Sequence, residues 1–227
     1  LDIDKALALQ MTRMALQRFP NNERIARLLL DRLADAKAWP EWERLSREHY
    51  FGNESIRADY LKRLSEEGRL EGDYAIALDR SKGGLEAQNT SSFAYAVFTA
   101  DAARWLSRFD ESVAAYRRLV ALYPGEPAYA MPLSDLLRSF GSRDPKFYDE
   151  SAEVLDVMSR IHPTDSSYAT KSGEALAEAG RMSEAAKRWR SIVAVAPGSP
   201  KNRLDVATIF WDYYQFTDAA AELEALR

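Results

Sequence analysis

At 227 residues the chain exceeds the usual size of one hydrophobic core, so it is either two domains or one elongated array of repeats. Hydrophobic residues at 46% and charged residues at 29% are an ordinary soluble balance, which excludes a disordered chain. The net charge of −4, with both signs interspersed throughout, lacks the basic excess or basic block of a nucleic-acid binder.

Cysteine is absent, which removes disulfides, thiolate metal sites and cysteine nucleophiles together. No run approaches the ~18 apolar residues of a membrane span, so no part of this segment is expected to insert in a membrane. The opening Leu1-Asp2-Ile3-Asp4 holds neither an initiator Met nor a signal peptide, so the stretch reads as a fragment of a larger protein. Cytoplasm and periplasm both stay open as its location.

Thirteen helices and no strands are predicted. A first, unpaired helix covers 3–18 and ends at Phe19-Pro20. Six helix pairs follow in order: 23–36 with 40–50, 54–67 with 71–81, 92–107 with 110–122, 127–140 with 147–161, 166–179 with 182–195, and 200–214 with 217–227. Proline cannot continue a helix and commonly sits just past its end. Phe19-Pro20, Tyr123-Pro124, His162-Pro163 and Ala196-Pro197 all stand so. From Pro163 to Pro197 is 34 residues, and from Pro20 to Pro124 is 104.

Upstream of each proline a small residue and a larger one recur four apart, on one helix face. The pairs are Ala8 and Thr12, Ser112 and Tyr116, Ser151 and Leu155, Ala185 and Trp189, continued by Ala219 and Leu223. The small member admits a neighbouring helix and the large one fills the space. Gly68, Gly141 and Gly180 each close a periodic segment, where a left-handed residue would end the first helix of a pair. Asp110 and Ser183 then stand as N-caps of second helices. Between 39 and 91 the pattern degenerates. Trp39, Pro40 and Trp42 crowd one turn, and Gly83-Gly84 with Asn89-Thr90-Ser91-Ser92 form a long connection. Ser142 to Lys146 read as a lengthened loop.

These residues and the 34-residue spacing resemble the tetratricopeptide repeat family, most strongly over 93–227. The early Trp of that family's first helix is missing, and Ala26, Ala96, Ala130 and Ala169 stand there. Related arrays of the suppressor type or the half-a-tetratricopeptide type stay open for the N-terminal half. The resemblance implies an all-α, right-handed α-solenoid over 1–227, with 1–20 as the unpaired helix, 23–91 degenerate and 93–227 regular. It implies a concave face lined by first helices that accepts a peptide or a partner-protein segment. The positions that would line it are Asp101, Arg104 and Trp105, then Met131, Asp135 and Arg138. Thr170, Lys171, Glu174 and Glu178 follow, then Leu204, Asp205, Thr208 and Trp211. Family members that hold chaperone C-termini use a Lys and an Asn at the fifth and ninth places of the first helix. Here those places hold Val97 and Asp101, Thr170 and Glu174, and Leu204 and Thr208, so a carboxylate would meet acidic groups.

Chemistry is hard to find. His162 ends a helix before Pro163, where a cation suits the helix terminus, and His49 ends another. Neither has a metal-ligand spacing. Ser81-Lys82-Gly83-Gly84 lacks the order of a phosphate loop. Glu66-Glu67 face different ways on a helix. Asn53-Glu54-Ser55 and Asn89-Thr90-Ser91 match the glycosylation pattern, which bears only on a eukaryotic secretory protein. The expected function is a non-catalytic protein–protein interaction scaffold with no cofactor, metal or nucleic acid. The alternative is a structural periplasmic arm of a bacterial polysaccharide or protein export machine. The aromatic-rich segment 210–216 leads into a final helix with no polar cap, and that end is expected to support self-association.

Overall fold

The computed structural model describes residues 3–50, 54–81 and 90–226. Its elements, in chain order, are α1 (Ile3–Arg18), α2 (Glu23–Asp35), α3 (Trp39–Glu48), α4 (Glu54–Glu66), α5 (Leu70–Ser81), α6 (Thr90–Trp105), α7 (Phe109–Leu122), α8 (Pro127–Phe140), α9 (Lys146–Ile161), α10 (Ser166–Glu178), α11 (Met182–Val195), α12 (Pro200–Asp212) and α13 (Phe216–Glu224). The fold is all-α, and no strand occurs among the described residues. The expected connection at Gly83-Gly84, its Asn89, and the phosphate-loop reading beyond Ser81 lie outside the described residues, as does Asn53. Ser81 itself is buried at the end of α5 and donates its hydroxyl to the Leu78 carbonyl at 2.9 Å.

The chain divides into two compact units, 1–107 and 108–227. In unit 1 each helix packs on the next, from α1 through α6. The helix expected to be unpaired, α1, lies against α2 and buries Leu9, Thr12 and Leu16. On α2 the buried residues Ala26, Leu29, Leu30 and Leu33 recur at the spacing of one helical stripe. In unit 2 the same neighbour-on-neighbour packing runs from α7 through α13. Contacts between successive elements carry a repeat fold, because no helix pair can bury both of its faces alone.

The small members of the recurring pairs sit at the helix crossings. Ser112, Ser151 and Ala185 are wholly buried and Ala219 nearly so. Their large partners Tyr116, Leu155 and Trp189 are buried as well. Leu223 breaks the series at 45% exposure. At the α8–α9 crossing the Ser134 and Ser151 hydroxyls meet at 2.9 Å, which satisfies two polar groups where backbones approach closely.

Turn chemistry differs from the sequence expectation in two ways. Gly68 (φ 67°) and Gly180 (φ 77°) are left-handed as expected. Gly141, at φ −58°, is not. Its glycine serves close approach, since a Cβ there would lie 2.4 Å from the Tyr148 ring. Lys37, Ser107 and Tyr214 take the left-handed place at three other helix ends. At Lys37, Gly68, Gly180 and Tyr214 the turn closes alike, with the next residue's N–H reaching back to Leu33, Leu64, Leu176 or Phe210 at 2.8–2.9 Å.

The second correction concerns caps. Asp110 and Ser183 lie inside the first turns of α7 and α11, whose cap positions are Arg108 and Arg181, and neither of these side chains caps its helix's own N–H groups. Side chains cap the helices that follow at Asn22, Glu126, Asp165 and Ser199, each two residues after a proline and each accepting from its helix's first N–H groups. An acceptor there satisfies donors that the helix cannot.

Candidate protein-interaction surface

In unit 1 the expected lining residues part company along α6. Asp101 is buried, accepts a hydrogen bond from the Tyr50 hydroxyl at 2.9 Å and lies 3.8 Å from the buried Arg57 guanidinium. A carboxylate held that way serves the interior of unit 1, so Asp101 is not available to a partner. Arg104 and Trp105 at the end of α6 are exposed, Trp105 by 43%.

In unit 2 the first helices are α8, α10 and α12. Arg138 on α8 reaches α10 with both arms of its guanidinium, to Glu174 at 2.6 Å and Glu178 at 2.6 Å. Lys171 on α10 returns to Asp135 on α8 at 3.5 Å. The bonds from Glu178 and Glu174 hold the Arg138 guanidinium above its ordinary pKa. Burial pushes the Tyr213 phenol at the end of α12 upward, and the negative charge of Glu174 adds to it. Glu174 therefore ties α10 to α8 through Arg138.

The remaining expected residues divide into packed and free. Met131 is half-buried against the cluster of Ala130, Leu155, Met158 and Tyr168. Thr170 is half-buried, and its carbonyl accepts the Trp189 indole N–H at 3.1 Å. Asp205 is half-buried on α12. Leu204, Thr208 and Trp211 stand on one outward stripe of that helix. Leu204 is 53% exposed and Trp211 is 62% exposed. Trp211 continues into an aromatic group, with Phe216 edge-on at 4.9 Å and Tyr214 meeting Phe216 at 6.1 Å. Tyr213 was not singled out from sequence, although the run Phe210 to Phe216 marked its neighbourhood.

Both histidines sit at helix ends against neighbouring elements. His162 Nε2 lies 2.9 Å from the Gly125 carbonyl, with its ring beside Tyr168, and ties the end of α9 to the turn before α8. His49 Nδ1 lies 3.3 Å from Glu23. Among the described residues no group of His, Asp and Glu could hold a metal ion, and no helix is long and apolar enough to cross a membrane.

No family model matches the chain, and no curated protein matches it. Solved structures do. A double mutant of MamA RS-1 is 12% identical, with 76% of this chain and 91% of that one covered, at a TM-score of 0.48. MamA from Desulfovibrio magneticus RS-1 is 13% identical over 76% and 92%, at 0.46. A thermophilic TPR protein of Thermus thermophilus is 18% identical over 73% and 86%, at 0.40. The assignment of an all-α fold built of successive helix pairs rests on the chain's own packing.

Proposed function

We propose that the chain is a non-catalytic scaffold that binds a peptide or a partner-protein segment along the first-helix face of unit 2. The observation that carries this reading is the contrast on that face. Its charges on α8 and α10 pair with one another across the helices, while Leu204 and Trp211 on α12 hold large apolar surface in water. Paired charges ask little of a partner, because their hydrogen bonds are already made. Exposed apolar surface gains about 25 cal/mol for each Å² removed from water, and tryptophan is the side chain that most often anchors such contacts.

Contact therefore centres on Leu204, Thr208 and Trp211, flanked by Asp135, Arg138, Thr170, Lys171 and Glu174 as a polar margin. Met131 contributes packing beneath the margin. On unit 1 the same logic leaves Arg104 and Trp105 as the free pair at the end of α6. The partner is a protein whose contacting segment is mainly apolar; a strongly charged segment would have to break the Arg138 and Lys171 pairs.

Site-specific photo-crosslinking in the source cells tests this. A photoreactive residue at Leu204 or Trp211 should trap one discrete protein partner, and the same residue at exposed Glu153 on α9 should trap none. Equal trapping at Glu153 would sink the assignment of the face.

A further inference from the structure

Between α3, α4, α5 and α6 of unit 1 lies a cavity of about 320 Å³, built from two kinds of side chain. Its wall is aromatic. Tyr50 and Tyr60 meet edge to face at 5.9 Å, and Phe98 lies 5.9 Å from Tyr50 and 6.3 Å from Tyr60. The polar ends of both tyrosines are engaged elsewhere: Tyr50 donates to Asp101, and the Tyr60 hydroxyl accepts from Arg47 at 2.6 Å. Tyr50 and Tyr60 are thereby fixed and buried, Tyr60 with Trp42 stacked against it at 6.4 Å, and Phe98 is the half-buried ring of the three.

Among the described residues the lining also holds two guanidiniums, and they are not equivalent. Arg47 is bound to the Glu43 carboxylate as well as to Tyr60, so its charge is matched. Arg80 lies over the Tyr95 ring, 5.0 Å from its centre, and donates to the Tyr95 hydroxyl. Among the described residues it pairs with no carboxylate. Asp73, the acidic group of the lining among the described residues, lies 3.7 Å from Arg69. Ile76 adds apolar surface that is 52% exposed. An aromatic slot of this size, with a cation that no carboxylate among the described residues matches, beside a hydroxyl that can donate, has the features of a small ligand pocket.

We propose that this cavity binds an apolar ring or short chain bearing a carboxylate. The ring lies against Phe98 and Ile76. The carboxylate accepts from Arg80 and from the Tyr95 hydroxyl, which takes a hydrogen bond from Arg80 and passes its own proton outward. A free arylalkanoic acid carries this chemistry, and so does an acidic residue next to an aromatic one in a peptide. The site is built wholly from unit 1 and rests on none of the observations made on α12.

Phenylacetate, phenylacetamide and the capped dipeptide acetyl-Asp-Phe-amide, titrated separately into isotope-labelled chain and followed by NMR, test the proposal. Phenylacetate should shift the amides of Tyr50, Ile76 to Arg80 and Phe98. Phenylacetamide should bind there about three- to tenfold more weakly. Arg80→Gln should erase that difference. Ile76→Glu, which sets a carboxylate at an exposed position of the lining, should weaken the acid more than the amide. Binding of the dipeptide above phenylacetate supports the proposal with a peptide as the source, and the reverse order supports it with a free acid. Equal binding of acid and amide, an acid preference that survives Arg80→Gln, shifts confined to 204–216, or no shift at millimolar ligand would each overturn it.

Discussion

Gly173 lies directly beneath the indole of Trp189: a methyl group on its Cα would come within 2.1 Å of the indole nitrogen. The missing side chain lets α11 settle onto α10 closely enough for that nitrogen to donate to the Thr170 carbonyl at 3.1 Å. Trp189 is wholly buried and also meets Phe210 edge-on at 5.6 Å, so one glycine governs contacts among three helices. Gly173→Ala should therefore destabilise unit 2 by about 1–3 kcal/mol, in the range of core overpacking. Ala185→Leu, at a buried crossing, should act alike, and Ala177→Leu, half-buried, should cost clearly less. Urea unfolding of the three variants decides it; three equal costs would mean that the packing of α10 on α11 is wrongly described.

The helix ends give a prediction with opposite signs. Gly180 is left-handed with open space around its Cα, so Gly180→Ala meets only backbone strain and should cost about 1 kcal/mol. Lys37 carries a side chain in the same conformation (φ 54°), so Lys37→Gly should stabilise unit 1 by up to about 1 kcal/mol. Gly141→Ala should destabilise for a different reason, the Tyr148 ring, and Tyr148→Ala should remove most of that cost. Thermal unfolding of the single and double variants separates strain from clash.

The positions of the helices were legible in the sequence because apolar spacing and the post-helical prolines carry that information locally. The role of Gly141 was not, since glycine answers both a left-handed turn and a close approach and the sequence does not say which. The caps were legible in principle: Asn22, Glu126, Asp165 and Ser199 all follow a proline by two residues. The ladder from Arg138 to Glu174 was not, because it joins groups 36 residues apart and depends on how successive first helices align. Asp101 misled for a related reason. A carboxylate on a first helix reads as solvated until Tyr50 and Arg57 are seen to meet it.

Acid should weaken unit 1 through Glu43. Hydrogen bonds from Arg69 at 3.0 and 3.2 Å hold this carboxyl below its ordinary pKa, with the Arg47 charge acting the same way. A carboxyl with a lowered folded value contributes stability that is fully present above its unfolded value, about 4.3. That contribution disappears as pH falls through the lowered value. Glu43→Gln should accordingly cost stability at neutral pH and flatten the fall in stability below about pH 4. A parallel pH profile for variant and parent would show that Glu43 contributes nothing through its charge.

The last prediction concerns α13. Its inner residue Ala219 is buried, but Leu223 and Leu226 are 45% and 38% exposed, beside Phe216 at 49% and Tyr214 at 79%. Three carboxylates, Asp218, Glu222 and Glu224, keep the helix polar elsewhere, and two are spoken for, by Arg190 and by Arg203 at 3.1 Å. What is left outward is an apolar strip continuous with an aromatic group, the kind of surface that repeat stacks bury against a further element. The 227-residue chain in isolation should therefore self-associate at high concentration through this end. Leu223→Glu with Leu226→Glu should make it more monomeric, and unfolding should change by no more than about 0.5 kcal/mol, because neither side chain packs inward. Light scattering across a concentration series reads the first effect and urea unfolding the second. A parent chain that stays monomeric throughout, or a double variant that associates equally well, would place the sticky surface elsewhere.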